Sequence, residues 1–204
     1  MERVAKYFLI GIAIIGGGLL TAAIIFAVSF SKAFGLFDKN YSVQELHEEY
    51  LYKEKEIDDL IKYYYSIKPN KRVEIEFEND EVLERLVVQS ERDSLKYYQQ
   101  WDVKINGIQK TDVGKELGWN EEDFKSLKEK LDEANCISIA DGEPVKVGFK
   151  RSGLGMYFFN IFYKKETDRS LFNNGCQYIL IDNKLALEYG GGAIGPQCFP
   201  KQKN

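Results

Sequence analysis

The chain has 204 residues and a formal net charge of −4. Residues 1–40 hold Arg3, Lys6, Lys32 and Lys39 against Glu2 and Asp38, so the rest is the acidic part, which argues against the cationic surface that non-specific nucleic-acid binding needs. That rest is long enough for one domain with a real core and short for two. With one histidine and three cysteines, the chain lacks the inventory for Ser-His-Asp or Cys-His catalysis and for a clustered Cys/His zinc site.

After a short tail, residues 1–6, the run from Tyr7 to Ser31 reads YFLIGIAIIGGGLLTAAIIFAVSFS and carries no charge. About 20 apolar residues in a helix cross a ~30 Å bilayer core, and this run meets that length. It exceeds the roughly 7–15-residue apolar core of a cleaved signal peptide. It reads as a retained single-pass signal-anchor, a transmembrane helix over 7–31 whose partner is the lipid bilayer. Arg3 and Lys6 precede it and Lys32 and Lys39 follow it. With the terminal amine, the balance tips toward a cytoplasmic N-terminus and an extracytoplasmic C-terminal domain. Ala13, Gly17 and Thr21 form a small-residue stripe that would let two such helices approach closely, although small residues are common in any membrane helix.

A linker, residues 32–40, leads to a soluble domain over 41–204. Ser42 with Glu45 predicts a capping box, and Tyr41 with Leu46 a hydrophobic staple; Pro69 predicts a stop near Ile67 or Lys68. Between them Val43, Leu46, Tyr50, Lys53, Ile57, Leu60, Tyr64 and Ile67 recur in steps of three and four, with Lys53 the one polar member. Such a stripe could serve as a homodimer seam over 43–67. Leu51 and Ile61 widen it, which favours packing on the chain's own sheet.

RVEIEFE at 72–78 alternates strictly and predicts a half-buried strand with a solvated acidic face. An apolar stretch at Leu83–Val88 would pair with it, and a third strand runs Tyr97–Ile105 with Trp101, Val103 and Ile105 on one face. Asn120 followed by Glu121, Glu122 and Asp123 predicts a second helix start, with Phe124, Leu127, Leu131 and Ala134 buried. Strands follow at Val145–Lys150, Gly155–Tyr163, Gln177–Ile181 and Lys184–Tyr189; YFFNIFY, nearly continuous in apolar groups, predicts a central strand. The sum is an α+β domain, an antiparallel β-sheet with about two helices on one side, behind one transmembrane helix.

Two clusters stand out as candidate site. The first is Lys150-Arg151-Ser152-Gly153-Leu154-Gly155, with Arg151 and Ser152 its candidate site residues. Glu188, Gly190, Gly191 and Gly192 form the second, where consecutive glycines allow close approach to the backbone. Together they would make a ligand-binding surface with Arg151 pairing an anion; the plainer reading is a C-terminal segment that tucks its turn glycines against the sheet. RSGLGMYFFNIFY and LEYGGGAIGPQCFP resemble segments of uncharacterised bacterial membrane-anchored or exported proteins. That resemblance covers about the last third of the chain and implies no catalytic residue. Cys176 and Cys198 could form a disulfide if the glycine run folds back, leaving Cys136 reduced and buried; three independent buried thiols are the equal alternative.

No catalytic constellation, metal-ligand set or cofactor motif emerges. The expectation is a non-enzymatic, membrane-tethered, extracytoplasmic binding or envelope-associated module. Its rivals are an anchored enzyme using carboxylates or Arg151 in a cleft beside the glycine tract, and a self-associating structural protein.

Overall fold

The computed structural model describes residues 17–31, 38–90, 97–191 and 195–199. Residues 17–31 are helical. The first part of the expected anchor, residues 7–16, lies outside the described residues, and among those described no helix is long and apolar enough to cross a membrane.

Helix α1, Val43–Ile67, begins where the sequence places it. The Ser42 side chain accepts from Glu45 N and the Glu45 carboxylate returns the bond to Ser42, which satisfies two of the orphan donors of the first turn. The Tyr41 ring meets Phe149 and Tyr157 edge-on, at 5.1 and 5.5 Å. Leu46, Tyr50, Ile57, Leu60, Ile61 and Tyr64 are buried, so the stripe faces the domain's own sheet. Its polar member has a purpose. Lys53 Nζ donates to Glu133 O at 2.8 Å and satisfies a carbonyl at the end of another helix, where the intrahelical ladder supplies no donor. The C-terminus of α1 is closed by Trp119, whose indole N–H donates to Ile67 O at 2.9 Å.

Eight strands follow, all antiparallel: β1 Lys71–Phe77, β2 Val82–Ser90, β3 Tyr97–Lys104, β4 Ser138–Ala140, β5 Val145–Ser152, β6 Gly155–Ile161, β7 Tyr178–Leu180 and β8 Leu185–Gly190. Their order in the sheet is β3-β2-β1-β4-β5-β6-β8-β7. A β1–β2–β3 meander and a β4–β5–β6 meander, the latter extended by the β8–β7 hairpin, thus join where β1 meets β4, over three residue pairs, Glu74 to Ala140 through Glu76 to Ser138. Between the meanders lie two helices, α2 Asp112–Leu117 and α3 Glu121–Glu133. Asn120 caps α3 by accepting from Glu122 N and Asp123 N, with three acids in the first turn, where the helix dipole favours them. β4 and α2 escape sequence reading because three residues and six residues are too short to show a period.

Register fixes what each face carries. Val73, Ile75 and Phe77 lie opposite Val88, Leu86 and Leu83, Ile139 opposite Val147, and Phe159 opposite both Val147 and Leu187. These side chains, with those of α1, α2 and α3, form one continuous core. β6, bonded on both sides and buried along nearly its whole length, is the central strand that its apolar run predicts. The Tyr64 hydroxyl donates to Val73 O at 2.7 Å inside that core, joining α1 to β1.

One face assignment changes. Alternation predicts Trp101 on one face with Val103 and Ile105; it is 55% exposed while they are buried. Asp102 has φ of 52°, which breaks the alternation, and Trp101 sits opposite Arg85 on the far side of the sheet.

At Gly148 in β5 a Cβ would collide with Ser138 Oγ and stand 2.7 Å from Met156 Sδ. Gly148→Ala is therefore expected to lower stability by about 1–3 kcal/mol, the usual range for forcing atoms into a packed site, measured by chemical denaturation. Unchanged stability would show that the β4–β5–β6 contact is not close-packed.

Candidate functional site

Among the described residues no α-helix packs on the sheet's second face, which only the short 3-10 turn Ser170–Phe172 overhangs, and its polar residues come from the alternation that buries the core. Glu74 and Glu76 point away from Val73, Ile75 and Phe77. The sequence reading leaves them solvated, yet Glu76 is only 9% exposed. The reason lies two strands away. Glu76 pairs with Ser138, and Ser138 with Gly148, so the strand beside β1 offers only small side chains on this face. Arg151 of β5 reaches across them, ion-pairing Glu76 through Nη2 and Glu84 at 3.3 Å. Arg85 pairs with Glu74 at 2.8 Å, and its guanidinium lies 5.4 Å from the Trp101 ring centre.

A second network lies across β5, β6 and β8. Glu188 is 3% exposed. Its carboxylate accepts from Lys146 Nζ at 2.9 Å, Asn160 Nδ2 at 3.1 Å and Gln177 Nε2 at 3.3 Å. Lys146 Nζ also lies 3.8 Å from the Phe158 ring centre. Glu188, Lys146 and Asn160 line an open groove of about 570 Å³ together with Phe172, Tyr178 and Arg72. Burial, with Glu188 nearby, pushes the Tyr178 phenol up to about 12, so it stays neutral.

The predicted site residues thus fall in different places. Arg151 and Glu188 share the helix-free face but belong to separate networks, each neutralised from within. Ser152 is buried and turned away: its hydroxyl donates to Asn40 Oδ1 at 3.0 Å, and the next residue, Gly153, donates its N–H to Asp38 Oδ2 at 3.0 Å. Gly190 ends β8. Gly191 has φ of +76°, and a Cβ there would touch the Phe158 ring at 3.4 Å. Gly192 lies outside the described residues.

Beyond the glycines the chain returns to the sheet. Gln197 N donates to Tyr189 O at 3.4 Å and Phe199 N to Cys176 O at 3.0 Å. Cys176 and Cys198 are joined by a disulfide. The Phe199 ring lies 5.9 Å from that of Tyr157 and 6.0 Å from that of Tyr189, which themselves stack at 4.3 Å. Cys136 is free and buried; burial pushes its thiol up to about 12, far from the range of a reactive thiolate. Among the described residues, Glu78, Glu84 and Asp102 bring carboxylate oxygens within 4.8 Å of one another, but Glu84 is already engaged by Arg151.

What this arrangement does chemically is hold charge still. Each buried acid on the face has a cation against it, and among the described residues of the face no nucleophile stands beside a free base. Comparison with protein-family models, with curated proteins and with solved structures finds no match for this chain.

Two outcomes test the geometry. Burial raises the Glu76 carboxyl above its ordinary value of 4.5, against the pull of Arg151. The folded state therefore holds that proton more tightly than the unfolded chain, and ionising Glu76 costs stability as pH rises from the ordinary carboxylate range through the folded pKa. Without Arg151 that cost grows. Arg151→Ala should lose on the order of 1–2 kcal/mol near neutral pH, a figure reduced for the half-exposed guanidinium, and clearly less near pH 4. Equal losses at both pH values in denaturant melts would contradict the pairing. Gly191→Val should cost about 1 kcal/mol or more, because a β-branched residue must enter the left-handed region beside Phe158; an unchanged melting temperature would count against a structural tuck.

Proposed function

We propose that this chain is a single-pass membrane protein whose α+β domain stands outside the cytoplasm and acts as a binding or envelope-associated module. The observation that carries the location is the Cys176–Cys198 disulfide, a bond that persists in oxidising compartments and is rare in the cytosol. The uncharged run over 7–31 supports the tether. The linker supports a domain that is held rather than loosely strung: Asp38 and Asn40 are bonded to the β5–β6 turn, and Tyr41 N donates to the Tyr157 hydroxyl at 3.1 Å.

The neutralised networks support binding rather than turnover. An anchored enzyme working through Arg151 beside the glycine tract would need a guanidinium free to meet substrate, and this one is bonded to two carboxylates. A stalk through α1 would need the stripe that the domain's own core already covers.

The test is made on the full chain in its native membrane. Trapping thiols under denaturing, non-reducing conditions should modify one cysteine, and reduction first should raise that to all three. A reporter active only outside the cytoplasm, fused at the C-terminus, should be active. Three free thiols together with a silent reporter would place the domain in the cytoplasm and overturn the reading.

A further inference from the structure

The linker and α1 give the domain two distinct ends. Asp38 is bonded at the β5–β6 turn, and the seven peptide steps from Ser31 to Asp38 reach at most about 25 Å. From there α1 runs 25 residues, about 37 Å, so its C-terminal half lies at the end away from the segment read as the anchor. At that end a groove of about 940 Å³ opens between α1 and the turn that joins β4 to β5.

Two tyrosines flank the groove, Tyr65 from α1 and Tyr163 just beyond β6, 42% and 52% exposed. Its acids are already committed. Asp141 accepts from Val73 N at 2.8 Å and pairs with Lys68 at 3.1 Å. Glu143 accepts from Tyr163 N, Lys164 N and the Thr167 hydroxyl. Asp58 accepts from the Tyr163 hydroxyl at 3.4 Å and faces Lys184 at 3.7 Å. Of its four lysines, Lys68 is held by Asp141 and Lys184 by Glu54 and Asp58; the other two are not so committed. Lys62 has an exposed surface pair with Asp59 at 3.2 Å, worth little in water, and the Lys164 ammonium has no ion pair among the described residues. The groove is therefore lined by two cations free to meet a ligand, Lys62 and Lys164, and by two exposed tyrosines.

We propose that this groove binds an anionic glycan, with sugar rings against Tyr65 and Tyr163 and carboxylate or phosphate groups at Lys62 and Lys164. Amphipathic rings present an apolar face beside a polar tip, which suits a pyranose with its C–H face and hydroxyl rim. A peptide fits less well. Peptide main chains are captured on open strand edges, and the edge strands β3 and β7 contribute no residue to the groove. The wall made by α1 has its backbone bonded within the helix. This site rests on the binding-module reading, but its test uses purified protein and is independent of membrane orientation: a silent topology reporter would remove the location and leave the site standing.

The full chain in detergent micelles is titrated with fluorescein-labelled oligogalacturonate and with phosphorylated dextran, beside unmodified dextran and poly-glutamate. Saturable binding of at least one anionic glycan is expected, weakened by salt, with no binding of unmodified dextran. The double change Lys62→Glu, Lys164→Glu, at exposed positions that leave the fold intact, should weaken binding at least tenfold. Tyr65→Ala should weaken it severalfold with the melting temperature reported alongside. The proposal is overturned if neither anionic glycan binds saturably, if the lysine pair binds as wild type, or if poly-glutamate competes as well as the glycan, which would make the groove an acidic-peptide surface.

Discussion

The packing of α1 along the second meander organises everything else in the domain. At the N-terminal end of the helix the contact is aromatic, while Leu46, Ile57, Leu60 and Ile61 carry it along the rest. Tyr41 meets Phe149 and Tyr157 at the start of the helix, Tyr50 meets Phe159 one strand register further on, and Phe149 meets Phe159 at 5.5 Å beneath them. Aromatic pairs of this kind add about 0.5–1.5 kcal/mol each beyond the area they bury. They also fix the helix's position along the strands, which a purely aliphatic stripe would do less tightly. The linker follows from this placement, because Tyr41 cannot sit against Tyr157 without bringing Asp38 and Asn40 to the β5–β6 turn. The far groove follows too, because the helix length sets how far from that turn its C-terminal tyrosines stand.

The helix-free face is shaped by the narrow junction at β4. Three residues of ladder join the two meanders, and on this face they present Ser138 and Ala140 with Gly148 beside them. Larger side chains there would cover the surface and separate Arg151 from Glu76. Small ones leave a shallow gap across which a long cation reaches a buried acid. The same logic operates at β8, where Asn160 and Lys146 close on Glu188. Buried ion pairs of this type contribute little net stability, since desolvation offsets attraction, but removing one partner leaves a charge stranded. The face is thus constrained more than it is stabilised.

Most of the architecture is legible in the sequence where a period is long or a cap is explicit. The Ser42–Glu45 box, the Asn120 cap, the alternation of RVEIEFE and the continuous YFFNIFY each state their element locally. What stays hidden is whatever depends on a partner distant in sequence. Glu76 reads as solvated because its cation is 75 residues away. Trp101 reads as sharing a face with Val103 because a left-handed Asp102 has no local signature. Arg151 and Glu188 read as one site because both sit next to glycines, whereas register assigns them to separate networks. The Tyr65–Tyr163 groove gives no signal at all, since its walls come from a helix and a strand end a hundred residues apart.

The central claim, that the domain stands outside the cytoplasm on a retained anchor, is tested most directly by protease accessibility. Intact cells stripped of their wall are treated with an external protease, and the chain is followed with an antibody to the domain and a tag at the N-terminus. The account predicts that the domain is lost while a short N-terminal fragment survives inside. Survival of the whole chain until the membrane is permeabilised, with the N-terminal tag also protected, would place the domain in the cytoplasm and contradict the account.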